Sequence, residues 1–196
     1  MKSIDVKGTL RTATGKKATR ELRKNGGVPC NLYGESKNEN GVNTALSFST
    51  TQDELRKLVY SPDIYSVNLN IDGKECKAVM KELQFHPVTD VLLHVDFYEI
   101  TEEKPIVMEV PIQLNGLAEG VKAGGKLAAS VRKLKVRAPY TAIPEKLNID
   151  VTNLAMGKTI KVGELHFEGL ELVTSPSVVV CQVKMTRSAM SAAAKA

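Results

Sequence analysis

The stretch RTATGKKATRELRKNGGVPCNLYG, residues 11–34, carries the strongest local pattern of the chain. Residues 11–24 hold six basic side chains and one acidic side chain, Glu21, and an apolar run follows them. The pattern predicts a basic helix, with Thr14 as its N-cap residue and Gly26 as the left-handed residue that ends it. A strand from Val28 to Tyr33 follows directly. A basic helix that leads into a strand is the simplest structure for this stretch.

The predicted helix has two distinct faces. Lys16, Arg20 and Arg23 follow one another at i, i+4 and i+7, which places three cations on one face. Ala18 and Leu22 lie on another face and can pack against a core. Aligned cations repel one another and do not stabilise a fold, so the charged face suits an anionic partner better than it suits stability.

The whole chain has the composition of a globular protein. Its 196 residues are 42% hydrophobic and 25% charged, and this length favours two domains over one. The net charge of +5 and the pI near 9.0 fit a nucleic-acid partner without requiring one. The excess of positive charge is local, because residues 1–24 have eight basic and two acidic side chains, whereas residues 1–100 are nearly balanced.

No stretch has the apolar run of a signal peptide or the length of a transmembrane helix, so we expect a cytoplasmic protein with no membrane partner. Cys30, Cys76 and Cys181 are widely separated and odd in number, which argues against a disulfide framework and against a CxxC zinc site. We expect all three to be small buried hydrophobic residues. The sequence therefore predicts neither a metal nor a cofactor.

The rest of the first hundred residues predicts more strands and one more helix. Thr51 and Glu54 form a capping box for a short helix through about residue 60, with Leu55, Leu58 and Val59 buried. Asp72-Gly73 is the signature of a type I′ hairpin turn. Residues 35–41 and 86–90 are expected to be loops. Strands are predicted at 3–10, where Ile4 and Val6 alternate with polar residues, and at 42–48, 64–71, 74–83 and 91–100.

The last of these strands holds a group of polar residues. Strand alternation puts His94, Asp96 and Tyr98 on one face, and the opposite face receives Val91, Leu93, Val95 and Phe97. The polar group has several interpretations: a hydrogen-bonded pair on a solvated face, a metal site completed by His86, a hydrolase using His94 and Asp96, or a surface that recognises bases and riboses. No GxSxG nucleophile motif and no metal-ligand spacing accompanies the pair. A neighbouring cationic helix favours recognition of nucleic acid.

The second half of the chain is predicted to be a β-sandwich or another β-rich domain. Residues 101–105 are polar, acidic and end in proline, as in a linker. A first strand at 106–112 directs Met108, Val110 and Ile112 inward. The glycine-punctuated residues 116–125 miss the Walker pattern for phosphate binding because Leu127 follows Lys126. Further strands are predicted near 127–137, 147–151, 159–162, 170–174 and 177–184, before a loose tail at 188–196.

Four cations crowd the second of these strands: Arg132, Lys133, Lys135 and Arg137. They have two interpretations of equal weight. They contact a second segment of RNA, or they protect an edge strand against aggregation by charge.

Two motifs carry a resemblance to a known family. GKKATRELRKNGGVPCNLYG and LQFHPVTDVLLHVDF, residues 83–97, resemble the bacterial large-subunit ribosomal protein that binds 5S ribosomal RNA. The second half, through VPIQLNGLAEGVKAGGKL and IPEKLNIDVTNLAMGKTIKVGEL, resembles the second domain of the long form of that family, which is like the domain of the general stress protein CTC. Glu21 and Phe85 depart from the family pattern, since both positions are commonly basic.

The resemblance implies a mainly β protein of two domains. Residues 1–100 are expected to form a small β-barrel with short helices that binds the loop E region of 5S rRNA, and residues 106–187 a β-rich domain that contacts other large-subunit rRNA or ribosomal proteins. A ribosomal role implies no enzymatic activity, cofactor or small-molecule substrate, and a ribosome-associated location in the cytoplasm. A free-standing stress-response RNA-binding protein is the alternative. The RNA contacts that the resemblance implies are Arg11, Lys16, Thr19, Arg20, Arg23, Tyr33, Gln84, His94 and Asp96.

Overall fold

A computed structural model describes residues 2–34, 45–101 and 104–186, and the chain divides into two compact units, Met1–Lys104 and Pro105–Ala196. Both units are mainly β, as predicted. The expected loop at 35–41 and the expected tail at 188–196 lie outside the described residues.

The first unit is a closed six-stranded barrel with the strand order β1-β3-β2-β6-β5-β4. The pairs β1–β4 and β2–β6 are parallel, and the other neighbours are antiparallel. Its elements are β1 (Lys2–Leu10), α1 (Lys16–Lys24), β2 (Gly27–Tyr33), β3 (Leu46–Thr51), α2 (Gln52–Val59), β4 (Tyr65–Ile71), β5 (Lys74–Phe85) and β6 (Leu92–Glu99).

Alternating apolar side chains fill the barrel. The rings of Phe48 and Phe97 lie 5.7 Å apart at its centre, and both are fully buried. Leu55 and Leu58 of α2 are buried in the same core, as the spacing predicts, whereas Val59 is only partly buried against it. Each fully buried side chain of this size contributes about 1.5–3 kcal/mol to folding.

The predicted hairpin turn is confirmed. Asp72 and Gly73 have φ values of 48° and 88°, and the two-residue loop joins Ile71 to Lys74, as a type I′ turn requires. The Asp72 carboxylate also accepts a hydrogen bond from the amide of Leu10 at 2.9 Å. The turn therefore fastens the β4–β5 hairpin to the end of β1.

Strand β6 differs from the predicted alternation at its start. Val95 and Phe97 point inward as predicted, but Leu92 is buried and Val91 is 44% exposed. The pairing with β5 moves from Gln84–His94 to Phe85–Leu92, so Leu93 is an extra residue in β6, a β-bulge. The predicted placement of Val91 on the same face as Val95 and Phe97 is therefore wrong, because the extra residue reverses the alternation that precedes it.

The predicted helix starts also need correction. Gly15, not Thr14, is the N-cap residue of α1, and its φ of 105° suits glycine. Thr51 stands at the N-cap of α2 but its side chain makes no capping hydrogen bond, so the capping box is absent. The predicted end of α1 is confirmed, since Gly26 has a left-handed φ of 76°.

The second unit contains two sheets, with the orders β10-β7-β9-β12 and β11-β13-β8. Met108 and Val110 of its first strand are buried and Ile112 is partly buried, as predicted. Its elements are β7 (Pro105–Asn115), α3 (Glu119–Lys122), β8 (Lys126–Ala129), β9 (Lys133–Pro139), β10 (Leu147–Asp150), β11 (Thr159–Lys161), a 3₁₀ turn (Val162–Glu164), β12 (Glu171–Leu172) and β13 (Val179–Lys184).

The predicted strand at 127–137 is two strands in different sheets. β8 pairs with β13, whereas β9 pairs with β7 and β12. The chain changes sheets between them, where the amides of Ser130 and Val131 donate to the carbonyl of Val180. Because the apolar alternation continues through residues 127–137, the sequence gives no sign that the chain changes sheets there.

Two glycines of residues 116–125 allow close packing of the backbone. A Cβ on Gly120 would lie 2.6 Å from the amide nitrogen of Met156, and a Cβ on Gly125 would lie 2.6 Å from the carbonyl oxygen of Gly120. Here the missing side chains let α3 lie against neighbouring backbone.

Candidate nucleic-acid interface

Three neighbouring barrel strands present a row of polar side chains outward. In the register of the sheet, Gln84 of β5 lies beside His94 of β6, and Asp96 lies between Glu82 of β5 and Asn31 of β2. The residues between them, Cys30, Leu83 and Val95, point the other way, because strand neighbours alternate. We call this outward set the polar face: Asn31, Tyr33, Glu82, Gln84, His94 and Asp96.

His94 and Asp96 form a close pair at the middle of the polar face. His94 Nδ1 lies 3.5 Å from Asp96 Oδ1, and their side chains are 19% and 21% exposed. The pair is therefore half-sheltered by its neighbours but open to a partner. It offers an imidazole donor or acceptor and a carboxylate acceptor within one small area.

Tyr33 closes one end of the polar face. Its ring packs edge-on against Tyr98 at a centroid distance of 5.8 Å, while about a third of the residue remains exposed. Burial raises the pKa of the Tyr33 phenol, and the negative charges of Asp96 and Glu82 raise it further. Tyr33 is therefore a neutral hydroxyl donor beside two carboxylates at physiological pH.

Helix α1 is fastened beside the polar face at its C-terminal end. Arg23 donates to the carbonyl oxygen of Leu93 from both Nε, at 3.1 Å, and Nη2, at 2.9 Å. Leu93 is the bulged residue of β6 and directly precedes His94. Leu22 packs over Gly27 at the start of β2, where a Cβ would lie 2.6 Å from Leu22 Cδ1.

A second arginine fastens the other end of α1. Arg11 Nη2 donates to Thr19 Oγ1 at 3.0 Å, and the Thr19 hydroxyl donates to the carbonyl of Gly15 at 2.8 Å. The amide of Arg11 donates to Ser47 of β3, so its position is set by the barrel. Arg11 and Thr19 thus order the turn that leads into the helix.

The remaining cations of the predicted face are open to a partner. Lys16 and Arg20 are exposed, and within the described parts of the chain neither side chain has a hydrogen bond or an ion pair. Both lie on α1, whose last turn is bonded through Arg23 to Leu93, next to His94 in the chain. They carry positive charge that no carboxylate of the described residues neutralises.

Asn31 is a polar-face residue that was not predicted from the sequence. Its Oδ1 accepts a hydrogen bond from Ser47 Oγ at 3.0 Å, and it lies beside Asp96 in the register. The alternation of Cys30 and Leu32 already assigns Asn31 to the outer face. The signal is weak because a single polar residue between apolar ones is common in strands.

His86 does not join His94 and Asp96. Its Nδ1 accepts the amides of Val88 and Thr89, at 3.3 and 3.2 Å, within the loop that precedes β6. Among the described residues, no three histidine, cysteine or acidic side chains lie close enough to hold a metal ion. The imidazole of His86 stabilises its own loop.

The three cysteines are free, and two of them are buried as predicted. Cys30 and Cys181 are buried and Cys76 is partly buried. Burial, with a smaller contribution from Asp96, raises the pKa of Cys30 to about 12. A thiol that holds its proton so strongly is a poor nucleophile and packs as an apolar group.

The strand that carries most of the four cations of the second unit is not the edge strand of one of the two interpretations. β9 lies between β7 and β12, so the edge-strand interpretation is wrong. Lys135 lies 3.9 Å from Glu109, and Arg137 lies 3.5 Å from Glu171. Arg132 and Lys133 are exposed, and their side chains have no bonded partner within the residues that the structure describes.

Fold and surface together define a class of protein: a small β-barrel with a polar sheet face and a cationic helix bonded to one of the strands of that face, joined in sequence to a second β unit. No helix in the described ranges is both long and apolar enough to cross a membrane.

Comparison with known proteins agrees with this class and narrows it. Residues 6–97 match the model of the Ribosomal L25p family, and residues 105–187 match that of the C-terminal domain of ribosomal protein TL5. The large ribosomal subunit protein bL25 of Phocaeicola vulgatus is 65% identical over 196 residues, all of this chain and 99% of the relative. The bL25 proteins of Bacteroides thetaiotaomicron and Porphyromonas gingivalis are 58% and 53% identical, again over all of this chain and 99% of each relative. The chain belongs to the bL25 family of ribosomal proteins.

Proposed function

We propose that the barrel unit binds 5S rRNA at its loop E region and thereby holds this protein in the large ribosomal subunit. As a member of the bL25 family, the protein is a structural constituent of the cytoplasmic ribosome and not an enzyme. Beyond this family membership, we propose which RNA the protein binds and which residues contact it.

Generic affinity comes from the cations of α1. Lys16 and Arg20 are exposed and without intramolecular partners in the described chain, so they can approach phosphates without breaking a bond in the protein. Each phosphate that a cation neutralises releases bound counterion, which makes the affinity fall with salt. Arg11 and Thr19 order the N-terminal end of the same helix and are proposed to contact the RNA there.

Selectivity comes from the polar face. A-form RNA offers 2′-hydroxyls and base edges across its shallow minor groove, and irregular loops expose further base edges. Gln84, His94, Asp96 and Tyr33 supply donors and acceptors in fixed positions on a rigid sheet. Asp96 repels phosphate, so it favours an approach in which a base edge or a 2′-hydroxyl faces it.

One juxtaposition carries the proposal: Arg23 fastens the cationic helix to the residue that directly precedes His94. The helix that would supply attraction is thus bonded to the strand that would supply discrimination.

A binding experiment with matched RNAs tests the proposal. Full-length protein is titrated with a loop E RNA and with a plain duplex of equal length, at several salt concentrations. We expect tighter binding to loop E and a steep loss of affinity with salt. Affinity that is indifferent to salt, or equal for both RNAs, would contradict it.

Two variants separate attraction from discrimination in the same titration. Arg20→Ala removes a free cation, so affinity falls for both RNAs and the salt slope decreases by about one. Asp96→Ala removes a charged acceptor, so loop E affinity falls by about tenfold while the duplex affinity does not fall. Equal losses on both RNAs for Asp96→Ala would remove the discriminating role.

The second unit is proposed to contact other large-subunit rRNA or ribosomal proteins. Arg132 and Lys133 are better placed for this than Lys135 and Arg137, because the latter pair lies close to Glu109 and Glu171. Exposed ion pairs contribute little, so Lys135 and Arg137 would still be available at a small cost.

A further inference from the structure

We propose that Arg23 is a positioning residue that holds α1 in place against the bulge of β6, and that it is not a phosphate contact. The inference deepens the RNA-binding function proposed above and rests on it for its consequence, but the contact itself belongs to the free protein. It changes the role that the family resemblance implies for this arginine.

The geometry of the contact supports positioning. Two donors of one guanidinium, Nε and Nη2, converge on a single carbonyl oxygen, that of Leu93, at 3.1 and 2.9 Å. The planar fork of arginine fixes the direction of such a contact, because both donors must point at the same acceptor. Lys16 and Arg20 on the same helix make no comparable bond within the described residues.

The acceptor exists because of the bulge. Leu93 is the residue that the β5–β6 register skips, since Gln84 pairs with His94 and Phe85 pairs with Leu92. An extra residue in a bulge leaves the ladder of sheet hydrogen bonds locally interrupted. The Leu93 carbonyl therefore accepts from a group outside the sheet, and Arg23 is that group.

Helix α1 needs such a contact. None of its nine residues is fully buried, and no side chain caps its N-terminus. A helix of this length is unstable by itself in water and depends on tertiary contacts. Among the residues that the structure describes, it is also attached by the packing of Leu22 over Gly27 and by the Arg11–Thr19 bond.

The contact also sets the geometry of the interface. Leu93 and His94 are adjacent in the chain, so a helix fastened to Leu93 has a fixed distance from the polar face. If Arg23 is released, Lys16 and Arg20 keep their charge but lose their fixed relation to His94 and Asp96. Attraction to RNA would then survive better than discrimination.

Hydrogen–deuterium exchange on the free full-length protein tests the contact without RNA. In Arg23→Gln we expect the hydrogen-bonded amides of α1 to exchange about tenfold faster, because a charged hydrogen bond to a backbone carbonyl is lost. Arg20→Gln and Arg56→Gln are the matched controls, and we expect both to leave α1 exchange unchanged. Arg56 is an exposed arginine on α2. Unchanged α1 exchange in Arg23→Gln would overturn the inference.

Arg23→Lys distinguishes geometry from charge. A lysine keeps the positive charge but cannot direct two fixed donors at one oxygen. Positioning therefore predicts faster α1 exchange in Arg23→Lys, close to that of Arg23→Gln. Exchange and RNA affinity that both equal those of the wild-type protein would instead identify Arg23 as a charge that any cation can replace.

The salt dependence of binding completes the test. We expect Arg23→Gln to reduce the loop E preference while leaving the salt slope unchanged, whereas Arg20→Gln lowers the slope by about one. A slope lowered by about one in Arg23→Gln would overturn the inference in favour of a phosphate contact. If the wild-type protein does not bind 5S rRNA at all, the proposed function fails, while the exchange result still decides the role of Arg23.

Discussion

At the scale of single residues, Tyr33 and Asp96 show how a neutral and a charged group share one small area. The phenol lies against Tyr98, and its pKa is raised first by burial and then by Asp96 and Glu82. A hydroxyl that keeps its proton donates a hydrogen bond, whereas the carboxylate beside it only accepts. The hydroxyl therefore pairs with an acceptor on an RNA surface, and the carboxylate pairs with a donor.

The ionisation of Tyr33 gives a prediction that needs no RNA. In the folded protein its phenol should lose its proton only above the ordinary value of 10.0. The unfolded chain loses that proton first, so this contribution to stability is complete below pH 10 and disappears as the pH rises through the folded pKa. The effect on stability is small because the side chain is partly exposed.

The ultraviolet absorbance of the phenolate measures this titration. Tyr33→Phe identifies the transition that belongs to Tyr33. Asp96→Asn should move that transition toward 10.0 without reaching it, because burial is the largest cause of the shift. A Tyr33 transition at the ordinary value in the wild-type protein would contradict the arrangement of the polar face.

At the scale of elements, the attachment of α1 to β2 depends on a missing side chain. A Cβ on Gly27 would lie 2.6 Å from Cδ1 and 3.3 Å from the carbonyl oxygen of Leu22. Gly27→Ala should therefore displace α1 and lower the free energy of unfolding by about 1–3 kcal/mol. Chemical denaturation measures the loss, and faster exchange of α1 amides locates it.

Gly8→Ala is the matched control for that prediction. Its Cβ would lie 2.6 Å from Cδ2 of Phe48, inside the barrel. We expect a similar loss of stability with α1 exchange unaffected below the unfolding transition. If Gly27→Ala leaves α1 exchange at the wild-type rate, Leu22 has another way to pack and the attachment is weaker than described.

The same elements show what sequence patterns can and cannot predict. The basic helix, its end at Gly26, the Asp72-Gly73 turn and the shared face of His94 and Asp96 follow from local spacing, and the structure confirms them. The bulge at Leu93 does not follow, because an extra residue in a strand leaves no mark in an apolar run.

The candidate site divides in the same way. The cations of α1 and the pair on β6 could be predicted, because each set lies within one element. The bond from Arg23 to Leu93 could not, because it joins residues far apart in the chain through a backbone carbonyl. For the same reason, the ion pairs of Lys135 and Arg137 with Glu109 and Glu171 were not predicted.

At the scale of the whole molecule, the chain divides into units with their own sheets. The barrel closes within Met1–Lys104, and its core of buried side chains is formed by residues of that unit alone. The boundary between Lys104 and Pro105 falls at the end of the predicted linker, residues 101–105. Domain independence stays a prediction that follows from the closed sheet.

A fragment of residues 1–104 tests that independence. We expect it to unfold cooperatively and to bind loop E RNA within about threefold of the full-length affinity, since the proposed contacts all lie in the barrel. Calorimetry and the same titration measure both properties, with residues 105–196 as the control that lacks the proposed site. A fragment that unfolds without cooperativity would contradict independent folding of the barrel. A folded fragment that binds far more weakly than the full-length protein would show that the second unit contributes to binding.

The parallel pairs of the barrel have a consequence for the order of events during synthesis. Lys2 pairs with Tyr65 and Cys30 with Val95, so the barrel cannot close until β6 has been made and inserted between β2 and β5. The cationic segment at 16–24 is made much earlier. We therefore expect a nascent chain to attract nucleic acid of any kind for a time, and to become selective only when its last barrel strand takes its place.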